Sequence, residues 1–193
     1  MGYGSLLLCL CVAFVFACRP QDANQTATSR IQVNGPRAPD TCPVTRPSTT
    51  PFLLSPPYSA SRWLDPRMFS YGSDQLWVDL PKIGVWPGLH LNYARTPPAY
   101  TQPVVWWQKG YDRHREPHPD LQITGRRLDA PAQQLMAGRA EGDRARTVPD
   151  RTVPDSPDFI AVRIDLPTLG CWEVTGKYMS QTLTFVVWAT DKE

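Results

Sequence analysis

Phe159-Ile160-Ala161-Val162-Arg163-Ile164-Asp165-Leu166 decides the fold. Ile160, Val162, Ile164 and Leu166 fall on one face of an extended chain, and Arg163 and Asp165 on the other. That alternation is the period of a strand with one face inward. Pro167 ends it. Cys171-Trp172-Glu173-Val174-Thr175 reads as the next strand, bounded by Gly170 and Gly176. Thr182 to Thr190 reads as the last, with Leu183, Phe185, Val187 and Ala189 on one side, and Lys177 to Gln181 permits a hairpin between them. Closely spaced strands of this kind predict an antiparallel sandwich.

Upstream, Asp74 to Leu80 reads as a short strand with Leu76, Val78 and Leu80 on one face and Trp77 on the other. Gly84-Val85-Trp86-Pro87-Gly88 is turn chemistry around an apolar pair. Val104 to Lys109 is a strong strand, and Leu121 to Thr124 follows, ended by Gly125, with Arg126-Arg127-Leu128 continuing after a bulge. Asp129 to Pro157 is a long polar excursion. It holds a tandem duplication, Arg146-Thr147-Val148-Pro149-Asp150 followed by Arg151-Thr152-Val153-Pro154-Asp155. A single repeat is no solenoid, and such duplications survive where the backbone is exposed.

Composition agrees with a β core. The 193 residues include 21 prolines and 7 tryptophans. Proline breaks helices and is confined to strand edges, so these prolines mark long loops, and no long window carries a 3.6-residue apolar period. Lys and Arg number 20 against 18 Asp and Glu, which gives no basic face for nucleic acid. The expected fold is an all-β, Ig-like antiparallel β-sandwich of about seven or eight strands, with long Pro-rich loops and a disordered N-terminal tether.

The N-terminus sets the compartment. Leu6 to Ala17 is an apolar run too short for the roughly 20 residues of a spanning helix and suited to a signal peptide. Val15-Phe16-Ala17-Cys18 offers a cut before Cys18 and has the form of a lipobox, in which Cys18 would be lipidated, although no Lys or Arg precedes the run. A plain signal-peptidase cut, or an uncleaved anchor from Gly2 to Cys18, is the alternative. The expected organisation is a signal peptide at 1–17, a Pro/Thr/Ser-rich linker and irregular segment at 18–58, and a β-sandwich domain at 59–193. Arg19 to about Asp40 is too polar to offset its ordering entropy, and Cys42 to Tyr58 is extended, irregular chain lying on the domain.

Of the five cysteines, Cys9 and Cys11 leave with the signal. With Cys18 lipidated, Cys42 and Cys171 remain, and an oxidising compartment favours their pairing. A loop of about 130 residues closed in this way is worth ~4–5 kcal/mol on the chain-entropy account. Two separately buried thiols are the alternative.

Two constellations are candidates for a site. His114, Glu116 and His118 share a face of extended chain and are weak metal candidates, although Pro117 and Pro119 also suit a solvated charged loop. Trp106 and Trp107 must point to opposite faces. The outward indole, with Trp77 and Tyr111, would form an exposed stacking surface for sugar or protein, unless the Pro-rich N-terminal segment covers it. There is no nucleophile elbow, phosphate loop or dinucleotide fingerprint, so no catalytic residue and no cofactor is expected.

The blocks Cys42–Pro47 (CPVTRP), Trp106–Asp112 (WWQKGYD), Leu121–Ala132 (LQITGRRLDAPA) and Leu166–Trp188, which contains GCWEVTG, together resemble an uncharacterised family of bacterial exported proteins. The last block is similar to the final two strands of immunoglobulin-like bacterial modules. The resemblance spans Cys42 to Ala189. It implies export and a β-sandwich, adds weight to a Cys42–Cys171 disulfide, and carries over no catalytic residue. The expected function is a non-enzymatic binding or structural module of the cell envelope. It would be held to a membrane through an N-terminal lipid or released outside, with an envelope protein or glycan as partner and no nucleic acid. The alternative is a secreted hydrolase or metal-dependent enzyme using His114, Glu116 and His118.

Overall fold

Alternating apolar positions on three C-terminal strands build the inner walls of two facing sheets. The computed structural model describes residues 35–49, 65–132, 134–138, 140–144, 146–147, 151–152 and 157–193. The expected signal peptide, Cys18 and most of the expected tether lie outside the described residues.

The strands are β1 Met68–Gly72, β2 Leu76–Pro81, β3 Val85–Trp86, β4 Leu91–Asn92, β5 Ala99–Gln108, β6 Gln122–Arg127, β7 Met136–Ala137, β8 Glu141–Arg144, β9 Arg146–Thr147, β10 Arg151–Thr152, β11 Asp158–Leu166, β12 Gly170–Tyr178 and β13 Gln181–Ala189. No helix occurs among the described residues. The larger sheet runs β1-β2-β5-β11-β7, with β4 also on β5 and β8 also on β11. The smaller runs β3-β13-β12-β6. The fold is an all-β sandwich, and its described strands outnumber the seven or eight expected because several are two-residue ladders too short to show alternation.

The core lies between the sheets. Leu76, Val78 and Leu80 of β2, Trp106 of β5 and Ile160, Val162, Ile164 and Leu166 of β11 meet Trp172 and Val174 of β12 and Phe185, Val187 and Ala189 of β13. All are buried, as the period-2 reading requires. Trp106 and Phe185 join the sheets at a centroid distance of 5.8 Å. Gly176 of β12 lets the sheets approach there, because a Cβ at that position would run into the Trp106 ring. β12 and β13 pair from Gly170↔Ala189 to Tyr178↔Gln181, and Met179 takes a left-handed φ of 51° in the tight turn between them.

Several expectations need correction. β3 pairs parallel with β13, Trp188↔Val85 and Ala189↔Trp86, so the smaller sheet is not purely antiparallel. The chain leaves β2 in the larger sheet and turns at Gly84, whose N–H bonds the Pro81 carbonyl at 2.8 Å. Gly84 has a φ of 69°, and a Cβ there would strike Val44, so both backbone and packing require glycine. β6 runs through Gly125 to Arg127 with an unbroken register against β12, so Gly125 neither ends the strand nor bulges. The absent side chain instead makes room for Leu135.

The polar excursion from Asp129 is partly structured, because β7 and β8 extend the larger sheet against β11. β7 pairs Ala137 with Ile164, while β8 pairs Glu141 with Ala161. The register therefore shifts by one residue between β7 and β8. The duplicated pentapeptides pair with each other: Arg146-Thr147 is β9 and Arg151-Thr152 is β10, in an antiparallel ladder. Asp165, expected to face solvent, points outward yet is 6% exposed. Its carboxylate accepts a 2.7 Å hydrogen bond from Thr101 Oγ1 and lies 3.4 Å from Arg95 Nε.

Candidate functional site

The His114, Glu116, His118 trio is not brought together. Even-offset convergence needs extended chain, and this segment turns. The Asp112 carbonyl accepts from the Arg115 and Glu116 N–H groups at 3.1 and 3.0 Å, and Asp112 Oδ1 accepts the His114 N–H at 2.9 Å. His118 Nδ1 lies 2.8 Å from Glu141 Oε2 on β8. No group of three or more His, Cys, Asp or Glu among the described residues is placed to share a metal ion.

Glu116 holds the loop to the sandwich instead. Its Oε2 accepts a 2.5 Å hydrogen bond from the Tyr178 hydroxyl, and its carbonyl accepts one of 2.7 Å from the Tyr111 hydroxyl. Burial, followed by the hydrogen bond to Glu116, raises the Tyr178 hydroxyl well above its ordinary pKa. Burial and the nearby carboxylates raise Tyr111 to about 12. Both phenols are therefore neutral donors, suited to holding a loop and not to proton transfer near neutrality. Beside them, a cavity of about 320 Å³ is lined by Glu116, Asp120, Gln122, Lys177, Tyr178 and Met179.

The expected aromatic surface is buried. Trp77, Trp106, Trp107 and Tyr111 are 1%, 0%, 6% and 7% exposed. Trp106 is the inward member of its pair, as alternation requires. Trp77 and Trp107 lie on the opposite face of the larger sheet, paired across β2 and β5 with rings stacked at 6.3 Å, and Trp107 is 5.4 Å from Phe159. Buried to this degree, they offer no face to a sugar or partner. Trp107 Nε1 donates to Asp79 Oδ2 at 2.7 Å and Ser70 Oγ donates to Asp79 Oδ1 at 3.2 Å. Burial outweighs these two hydrogen bonds and pushes the Asp79 carboxyl up to about 6.

The concavity nearest to a ligand site lies further along the same outer face. A groove of about 400 Å³ is lined by Arg95, Pro103, Gly138, Glu141, Ala161, Val162 and Arg163. The Gly138 N–H bonds the Arg163 carbonyl at 2.7 Å at its margin. Pro103, opposite Arg163 on β5, floors it. Pro103 sits where β5 has a strand on one side only, between its pairings with β2 and β4, a place that tolerates a residue without an N–H. Of these residues, only the outward placement of Arg163 was readable from alternation. Arg95 and Glu141 come from segments with no periodic signal.

Cys42 and Cys171 form a disulfide with a Cα separation of 5.7 Å. The segment around Cys42 then follows β13: the Thr45 N–H donates to the Val186 carbonyl at 2.8 Å, and the Val186 N–H to Thr45 Oγ1 at 2.9 Å. Residues on the linker side of the expected boundary at 59 thus cover one edge of the smaller sheet. Such a bridge belongs to proteins of oxidising compartments. The fold and bridge define the class, a disulfide-linked all-β sandwich. No protein-family profile, curated protein or solved structure matches the chain.

Proposed function

We propose that this chain is an exported, non-enzymatic binding or structural module of the bacterial cell envelope, immunoglobulin-like in type and tethered by a lipid on Cys18. The observation that carries this reading is the Cys42–Cys171 disulfide. A cytosolic protein would have its thiols kept reduced, so the bridge agrees with a signal peptide at 1–17 cut before Cys18. The resemblance of the Cys42–Pro47 and Leu166–Trp188 blocks to bacterial exported proteins points the same way. A membrane-side tether followed by a bridged β domain suits presentation of a surface to an envelope protein or glycan.

Intact mass of the native protein from isolated membranes, with and without reductant, tests the reading. The expected species begins at Cys18, carries added acyl mass and gains two hydrogens on reduction. A full-length, unmodified chain with free thiols overturns it.

A further inference from the structure

The groove on the outer face of the larger sheet carries more cationic donors than its own carboxylates use. Asp165 is matched by Thr101 and Arg95, and Glu141 by His118. Arg163 is exposed, and its guanidinium makes no hydrogen bond or ion pair among the described residues. Arg95 Nε is buried and, although 3.4 Å from Asp165 Oδ2, has no hydrogen-bond partner. A guanidinium fork fits a planar or tetrahedral oxyanion. Pro103 and Ala161, on the same outer face, supply apolar surface beside the two arginines. The volume falls in the small-molecule range of roughly 300–1,000 Å³.

We propose that this groove binds the oxyanion end of a small ligand, a carboxylate or phosphate on a compact apolar body, with Arg163 and Arg95 as its donors. The site rests on the binding-module reading and gives that module a ligand class.

The test is titration of the purified full chain with benzoate, phenyl phosphate and the neutral benzyl alcohol, followed by the arginine Nε–Hε and Gly138 amide resonances. Benzoate, phenyl phosphate or both should shift Arg95, Arg163 and Gly138, and the preferred anion identifies the oxyanion type. Arg163→Gln should weaken binding roughly tenfold, Arg163→Lys less, and Arg126→Gln on the smaller sheet not at all. Equal binding of benzyl alcohol, equal binding by Arg163→Gln, or no shift by any probe at about 10 mM overturns the proposal. Those results would leave the lipid mass and disulfide unaffected, so failure of this site is separable from failure of the envelope reading.

Discussion

The β12–β13 hairpin and the outer face of the larger sheet bury tryptophans by different means. In the hairpin, Trp172, Val174, Phe185 and Val187 are buried on the face that alternation assigns to the core. On the outer face of β2 and β5, Trp77 and Trp107 are buried just as deeply on the side that alternation assigns to solvent. A period of 2 reports which residues share a face, and does not report whether a second layer covers that face. The larger sheet therefore has two apolar sides, the second built around Trp77, Trp107 and Phe159 with Asp79 within it.

Paired truncation of the two tryptophan sites should have the largest effect. Trp172→Ala and Trp107→Ala should each cost ~3–5 kcal/mol in chemical denaturation, because both indoles are buried. A loss below ~1 kcal/mol for Trp107→Ala alone would mean that the outer face contributes no second core. Next in size is the bridge. Replacing Cys42 and Cys171 together by Ala should cost ~2–5 kcal/mol, read as a lower denaturation midpoint under non-reducing conditions, and the Thr45 contacts with Val186 should loosen with it.

Asp79 distinguishes the two faces by pH. Its folded pKa of about 6 lies above the ordinary value of 3.8, so the folded state holds the proton more tightly. Its contribution is fully present below about pH 4 and is lost as pH rises through about 6, a change of up to ~3 kcal/mol for a carboxylate only partly open to water. Asp129 has the opposite sign, because its hydrogen bond from Arg127 holds it below its usual value. The measurement is therefore the difference in stability between wild type and Asp79→Asn from pH 4 to 7. That difference should move in favour of Asp79→Asn as pH rises, and a flat difference would place Asp79 in water.

Two smaller effects belong to the loops. Tyr178→Phe should cost ~1–3 kcal/mol through the loss of its hydrogen bond to Glu116, and should raise amide exchange across residues 112–118. Deleting one duplicated pentapeptide, Arg151 to Asp155, should change stability by less than ~0.5 kcal/mol, since among the described residues it removes a two-residue ladder, β9–β10. A larger loss would show that the hairpin supports the sheet.

The long strands were legible because their alternation is sustained. The site was not legible, for reasons that differ by residue. His114, Glu116 and His118 share parity only in extended chain, and Asp112 closes a turn that cancels it. Glu116 has the chemistry of a ligand and the position of an anchor, and only Tyr178, 62 residues away, reveals which. Arg95 lies in a loop with no periodic signal, and its relation to Asp165 spans the sheet.

The sequence alone determined the all-β class, the inward faces of β11, β12 and β13, and the cysteines available to pair, because local period and composition act within a few residues. The parallel β3–β13 pairing, the burial of Trp77 and Trp107, the register shift between β7 and β8 and the groove between Arg95 and Arg163 come from the tertiary structure. Each depends on which distant segments meet, and no local pattern of side chains encodes that meeting.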